Sequence, residues 1–221
     1  SQFKRYRFGA QLEIGLWNLY QLANALYPLI EEAEDFERIL HAYNKNAEAQ
    51  YLAMMRSKLG LYADEKKDSE LIENLEYILQ LTETDMTIFF RNLNQFSSEA
   101  PLKGIANIKD AFYNINEISD SIKQKWNIWF TNYAERLQKE ELTAIERKVK
   151  MNQVNPKYIL RNYMAQLAID DANKGDYQLI DELFKLLRKP YEEQPENEKW
   201  FVKRPDWARH KAGCSMLSCS S

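Results

Sequence analysis

Histidine and cysteine are almost missing from this 221-residue chain, which has two of each. Both thiols, Cys214 and Cys219, fall within the last eight residues. A structural zinc of the usual four-ligand spacing is therefore excluded, and no metal-ligand set is read from the sequence. Glycine is nearly as scarce. The six glycines, at 9, 15, 60, 104, 175 and 213, include no pair with the spacing of a dinucleotide fingerprint or a Walker A loop, so the chain has no glycine cradle for a phosphate. Only six prolines accompany them, and this shortage of turn residues argues against a many-stranded sandwich or barrel. No apolar run approaches the roughly 18 to 20 residues needed to cross a bilayer, and the mean hydropathy is -0.61, so no membrane partner is expected. Positive charge is not in excess either, with 30 basic against 33 acidic residues, so a nucleic acid backbone is not the expected partner. The opening Ser1-Gln2-Phe3-Lys4-Arg5-Tyr6 lacks a signal-peptide layout and reads as a cut inside a longer, cytoplasmic chain.

What is present is helical periodicity. The chain is 45% hydrophobic and 29% charged, well inside the range of folded globular proteins. In residues 10–27, Leu12, Leu16, Leu19, Ala23 and Leu26 recur at three- and four-residue steps and predict a core-facing helix ending near Pro28. A long second helix follows over 33–59, with Gly60 as its left-handed cap. Asp68 or Ser69 is expected to cap a third helix, and Thr84 or Asp85 a fourth. Residues 95–104 read as a loop that divides the helical region, and 105–113 as a short helix. Ile118, Ile122, Trp126, Trp129, Tyr133 and Leu137 step by four, four, three, four and four, the most regular stripe in the chain. Asn155-Pro156 reads as a cap and first-turn proline opening a helix stopped by Gly175, and Asp176 as the cap of a last helix. The expected fold is an all-α multi-helix bundle: a helical domain over 1–188 and an irregular tail over 189–221, where Pro190, Pro195 and Pro205 forbid long regular structure.

Candidate chemistry is thin. Glu31, Glu32, Glu34 and Asp35 suit the positive end of the second helix rather than a metal. Asp170 and Asp171 diverge around a helix and read as solvated. His41 reads as a partly buried structural residue, and no Ser- or Cys-based triad can be drawn, His210 being the one histidine near a thiol. Trp126, Trp129, Phe130 and Tyr133 read as core at helical spacing, not as a stacking platform. Lys4, Arg5 and Arg7 make either a phosphate contact or a solvated linker. The tail is the unusual place. Cys214 and Cys219 follow basic residues on a terminal segment expected to be exposed; they are either low-pKa, redox-active thiols or passive ones.

Several stretches resemble the selenoprotein O (YdiU) family. Near the start these are Arg5-Tyr6, Ile14-Gly15-Leu16-Trp17-Asn18-Leu19 and Leu22-Ala23-Asn24-Ala25-Leu26. In the middle stands Asp85-Met86-Thr87-Ile88-Phe89-Phe90-Arg91-Asn92-Leu93, and later Met151-Asn152-Gln153-Val154-Asn155-Pro156-Lys157-Tyr158-Ile159-Leu160-Arg161-Asn162-Tyr163. The end matches through Arg204-Pro205-Asp206-Trp207-Ala208 and Cys214-Ser215-Met216-Leu217-Ser218-Cys219-Ser220-Ser221. Lys4 stands where the family has glycine, and Leu12 where it has proline. The resemblance implies the helical C-terminal part of a kinase-like fold that transfers AMP from ATP to protein hydroxyls with a divalent metal such as Mg²⁺. It also implies that the nucleotide- and metal-binding residues lie upstream, so no catalytic, cofactor or metal residue is transferred to this chain. The implied partners are the upstream kinase-like part and the protein substrates of the parent. Cys219 stands where some members carry selenocysteine, which implies a redox or regulatory role with Cys214 or an upstream thiol as its partner. A free-standing helical protein-interaction module is the alternative reading.

Overall fold

The computed structural model describes residues 10–211 and 213–214. Among them are nine α-helices and no β-strand, the sole strand-like pairing being a bridge between Thr84 and Phe112. The all-α architecture expected from the periodicity is the one observed. The chain divides into two compact units, with the boundary after Met54. Residues 95–104, expected as the dividing loop, lie inside the second unit, where the turn at Pro101–Lys103 and the helix after it both pack on a central helix.

The first unit contains α1 (Gln11–Ile30) and most of α2 (Ala33–Leu59). α1 runs past Pro28 because a proline in the last turn removes one hydrogen bond without preventing Glu31 N–H from closing on the Tyr27 carbonyl at 2.8 Å. Its apolar stripe does not face a core as expected, for no residue of α1 is buried. The acidic Glu34 and Asp35 sit in the first turn of α2, as the dipole argument requires. Gly60 has φ +70° and follows α2 as its left-handed cap.

The second unit is built on α3 (Asp68–Leu79), α4 (Met86–Asn92), α5 (Gly104–Ile108), α6 (Asp120–Leu137) and α7 (Ala144–Val154). Trp126, Trp129, Phe130 and Tyr133 of α6 are buried and pack ring against ring, stacked or edge-on, at centroid distances of 5.0–6.1 Å. Aromatic pairs of this kind add about 0.5–1.5 kcal/mol each beyond the area they bury. Burial pushes the Tyr133 hydroxyl up to about 12, so it keeps its proton and donates to the Leu59 carbonyl at 2.5 Å. Beyond these, α8 (Asn162–Ala172) and α9 (Gln178–Leu187) bury a second cluster of Tyr158, Tyr163, Met164, Leu183 and Leu186.

Four sequence expectations need local correction, the first being Asp176, which lies one residue before the Tyr177 cap of α9 and accepts from the Gln178 N–H at 2.9 Å. Asp68 is the first residue of α3 rather than its cap, because its carboxylate is bound by Arg136 at 2.6 and 3.2 Å in the interior. The helix expected over 105–113 stops at Ile108, where a 3-10 turn and the Thr84–Phe112 bridge draw the chain out of helical register. Asn155-Pro156 opens no helix. Asn155 closes α7 with extended backbone and donates through Nδ2 to the Lys58 carbonyl at 2.9 Å, while α8 starts at Asn162. α7 itself is marked in the sequence by the capping box of Thr143 and Glu146, a signal that apolar periodicity does not carry. After Leu187 the described residues hold no α-helix, only 3-10 turns at Pro195–Trp200 and Asp206–Arg209.

Gly104 permits a close approach of α5 to α6. A Cβ built there would lie 2.4 Å from the Phe130 ring on α6. Gly104→Ala is therefore expected to destabilise the chain by about 1–3 kcal/mol through overpacking, read as a lower urea midpoint; an unchanged midpoint would show that α5 is free to shift.

Candidate functional site

Asp85 stands at the N-cap of α4 with extended backbone, and its Oδ1 accepts from the Ile88 N–H at 3.1 Å. The same carboxylate is held by the fork of Arg161, the residue before α8, at 2.5 and 3.0 Å, with both side chains largely buried. Six residues on from Asp85, the buried Arg91 donates to the carbonyls of Asn152 at 3.1 Å and Asn155 at 2.9 Å, and to Glu193 at 2.6 Å. Asn94 donates to the side-chain oxygen of Asn152. The middle and late stretches of the sequence are thus fastened to one another by charge-assisted bonds, which are about twice as strong as neutral ones.

The segment after α9 is fastened to the same body. Arg204 and Arg209 both bind Glu83, at 2.9 and 2.8 Å, and their guanidinium groups lie 5.7 and 5.0 Å from the Tyr113 ring centroid. The Tyr113 hydroxyl accepts from the Arg204 N–H at 3.1 Å. Lys157 reaches Glu193 and Glu198, each at 2.6 Å. Burial works against the charge of Glu193, but the hydrogen bonds from Lys157 and Arg91 outweigh it and hold its carboxyl below the usual range. Burial likewise opposes the Lys157 charge, and Glu193 and Glu198 reverse that and raise it.

Between these segments lies a cleft of about 760 Å³, walled by the end of α4, by α5 and by the chain from Glu193 to Lys203. This volume is in the range of ligand sites. Its lining is mixed, with the amides of Asn92, Gln95 and Asn107 and several lysines beside apolar residues such as Phe201 and Val202.

The residues singled out in the sequence are dispersed. Cys214, expected on an exposed tail, is only 3% exposed and packs with Tyr158, Met164 and Ala208, so its thiol is shielded from water and from reagents. Cys219 and the basic stretch Lys4, Arg5 and Arg7 lie outside the described residues. His41 is exposed, not partly buried, because the first unit buries so little of its helices; His210 is exposed as well. Asp170 accepts from Gln166 and Lys211, so it is paired rather than simply solvated. The four aromatics of α6 are core, as the spacing predicts. Sequence reasoning missed Asp85, Arg91, Lys157, Arg161 and Glu193 as one constellation, since partners 76 and 102 residues apart leave no periodic trace.

Comparison with known proteins decides the family. The family model described as "Protein adenylyltransferase SelO" matches residues 1–188. The chain belongs to the SelO protein adenylyltransferase family. It is 57% identical over all of its length to a "Protein nucleotidyltransferase YdiU" of Flavobacterium johnsoniae, covering 42% of that relative. Proteins of the same description from Aromatoleum aromaticum and Rhodopirellula baltica are 46% and 43% identical, over 99% and 100% of this chain and 41% and 43% of their own lengths. The chain therefore spans less than half the length of these relatives. In this SelO-family chain Leu12 falls in the first turn of α1, a place that tolerates proline.

The clasp at Glu193 sets a pH dependence. A carboxylate with a depressed folded pKa contributes stability that is present above its unfolded value, about 4.3, and lost as pH falls through the folded one. Glu193→Gln should lower the urea midpoint at pH 7, and the gap to the unmodified chain should close below about pH 4. A gap constant from pH 7 to pH 3 would show that the Glu193 charge does not hold the segment.

Proposed function

We propose that this chain is the helical part of a protein adenylyltransferase, an enzyme that moves AMP from ATP onto Ser, Thr or Tyr hydroxyls of proteins. In this reading it supports a kinase-like part of the same polypeptide and is not catalytic by itself. The observation that carries the reading is the SelO-family match over residues 1–188 in a chain spanning only 41–43% of its relatives. α1 adds support, for none of its residues is buried and Tyr20, Leu22, Tyr27, Leu29 and Ile30 are exposed. An apolar helix surface of that extent needs a cover, and the kinase-like part is the cover we assign to it.

Nucleotidyl transfer depends on positioned phosphates and metal-assisted charge stabilisation. Among the described residues no group of three or more His, Cys, Asp or Glu is gathered to hold a metal ion, and the glycines form no phosphate cradle. In this reading ATP and Mg²⁺ belong to the whole protein. What this chain contributes is rigidity: the Asp85–Arg161 and Arg91–Glu193 pairs fix α4, the approach to α8 and the segment after α9 as one support. Its place is the cytoplasm, and no described helix is long and apolar enough to cross a membrane. Cys219 serves as a redox or regulatory thiol. Its partner is an upstream thiol, or Cys214 once that residue leaves its apolar cluster.

The test is transfer of labelled AMP to protein, with ATP and Mg²⁺, by the full-length protein and by the 221-residue chain. Full-length protein should label itself or a protein substrate and the chain alone should not; labelling by the chain alone would overturn the reading.

A further inference from the structure

The cleft beside α4 is lined by six basic and three acidic side chains, although the chain as a whole carries a formal charge of -3. Internal pairing divides the cations into two sets. Arg91 and Lys157 are engaged by Glu193 and Glu198, and Lys203 donates to the Phe112 carbonyl. Lys103, Lys109 and Lys148 are exposed, and among the described residues no hydrogen bond, ion pair or ring contact engages their ammonium groups. They come from three elements: the turn Pro101–Lys103, the turn Lys109–Ala111, and α7.

This layout selects among anions. A compact phosphate is matched by a free guanidinium fork or by N–H groups converging on one point. The fork of Arg91 is already filled by two carbonyls and a carboxylate. Lysines are flexible point charges, and three of them on separate elements match negative charge spread along a ligand. The cleft also offers the side-chain amides of Asn92, Gln95 and Asn107, each carrying donors and an acceptor as a peptide backbone requires, with one Asn107 N–H given to the Gln95 carbonyl. Val202, also in the lining, is 43% exposed and gives an apolar seat for a side chain between carboxylates.

We propose that this cleft is a docking groove for an extended acidic peptide segment, whose carboxylates meet Lys103, Lys109 and Lys148 and whose backbone meets the amides of Asn92, Gln95 and Asn107. The groove lies wholly within the second unit and does not depend on the adenylyltransferase reading. Attraction of this type raises association rates and selects partners by charge, and it weakens as salt screens it.

A fluorescein-labelled peptide of alternating glutamate and serine, followed by anisotropy with the 221-residue chain, tests the assignment. Binding should weaken steeply between about 50 and 300 mM salt, and the matching glutamine–serine peptide should bind at least about ten-fold more weakly. Lys103→Glu, Lys109→Glu and Lys148→Glu should each weaken binding about five-fold with an unchanged far-UV circular dichroism spectrum, since each side chain is exposed. Equal binding of the glutamine peptide, no binding of the glutamate peptide, or indifference to all three reversals would overturn the proposal. Displacement of the peptide by micromolar inorganic pyrophosphate would overturn it too, by assigning the cleft to compact phosphates.

Discussion

The carboxylate of Asp85 does two jobs at once. It caps α4 through the Ile88 N–H and it grips both arms of Arg161. Taking such a pair out of water is costly, and the pair is not by itself a source of stability relative to apolar residues of the same size. Removing one partner is worse, since about 3–5 kcal/mol is then lost to an unmatched buried charge. The pair therefore acts as a constraint on arrangement: α4 and the approach to α8 have one relative placement in which both charges are matched. In that placement Arg91 and Asn94 reach the carbonyls and amide at the end of α7.

From this constraint the cleft follows. With α4 and the segment before α8 fixed, the Lys157–Glu193–Arg91 clasp brings the chain after α9 across the body, and Arg204 and Arg209 close it onto Glu83 and Tyr113. Asp85, Arg91, Lys157 and Arg161 all belong to stretches that resemble the family, and they meet each other or, in Glu193, a common neighbour.

Much of the fold was legible because helical periodicity is local. The stripe from Ile118 to Leu137, the left-handed Gly60 and the Asp85 cap all report conditions within a few residues of themselves. Errors arose where distant groups override local preference. Asp68 gave up capping for a buried arginine, Asn155-Pro156 closed a helix because Asn155 is tied to the Lys58 carbonyl, and the bridge at Phe112 cut α5 short. The candidate site was nearly invisible for the same reason, being made of pairs brought together by the fold. Cys214 shows the complementary failure: a position near a chain end argues for exposure, yet Ala208 and Cys214 find an apolar seat among residues of α8 and α9.

The central claim is that Asp85 and Arg161 are energetically one unit. A double-mutant cycle with Asp85→Ala, Arg161→Ala and the double variant, read by urea unfolding, measures their coupling directly. The predicted coupling is about 1.5–3 kcal/mol, so that the double variant is far more stable than the two single losses would give if added. Additive losses, with a coupling within about 0.3–0.5 kcal/mol of zero, would contradict the claim.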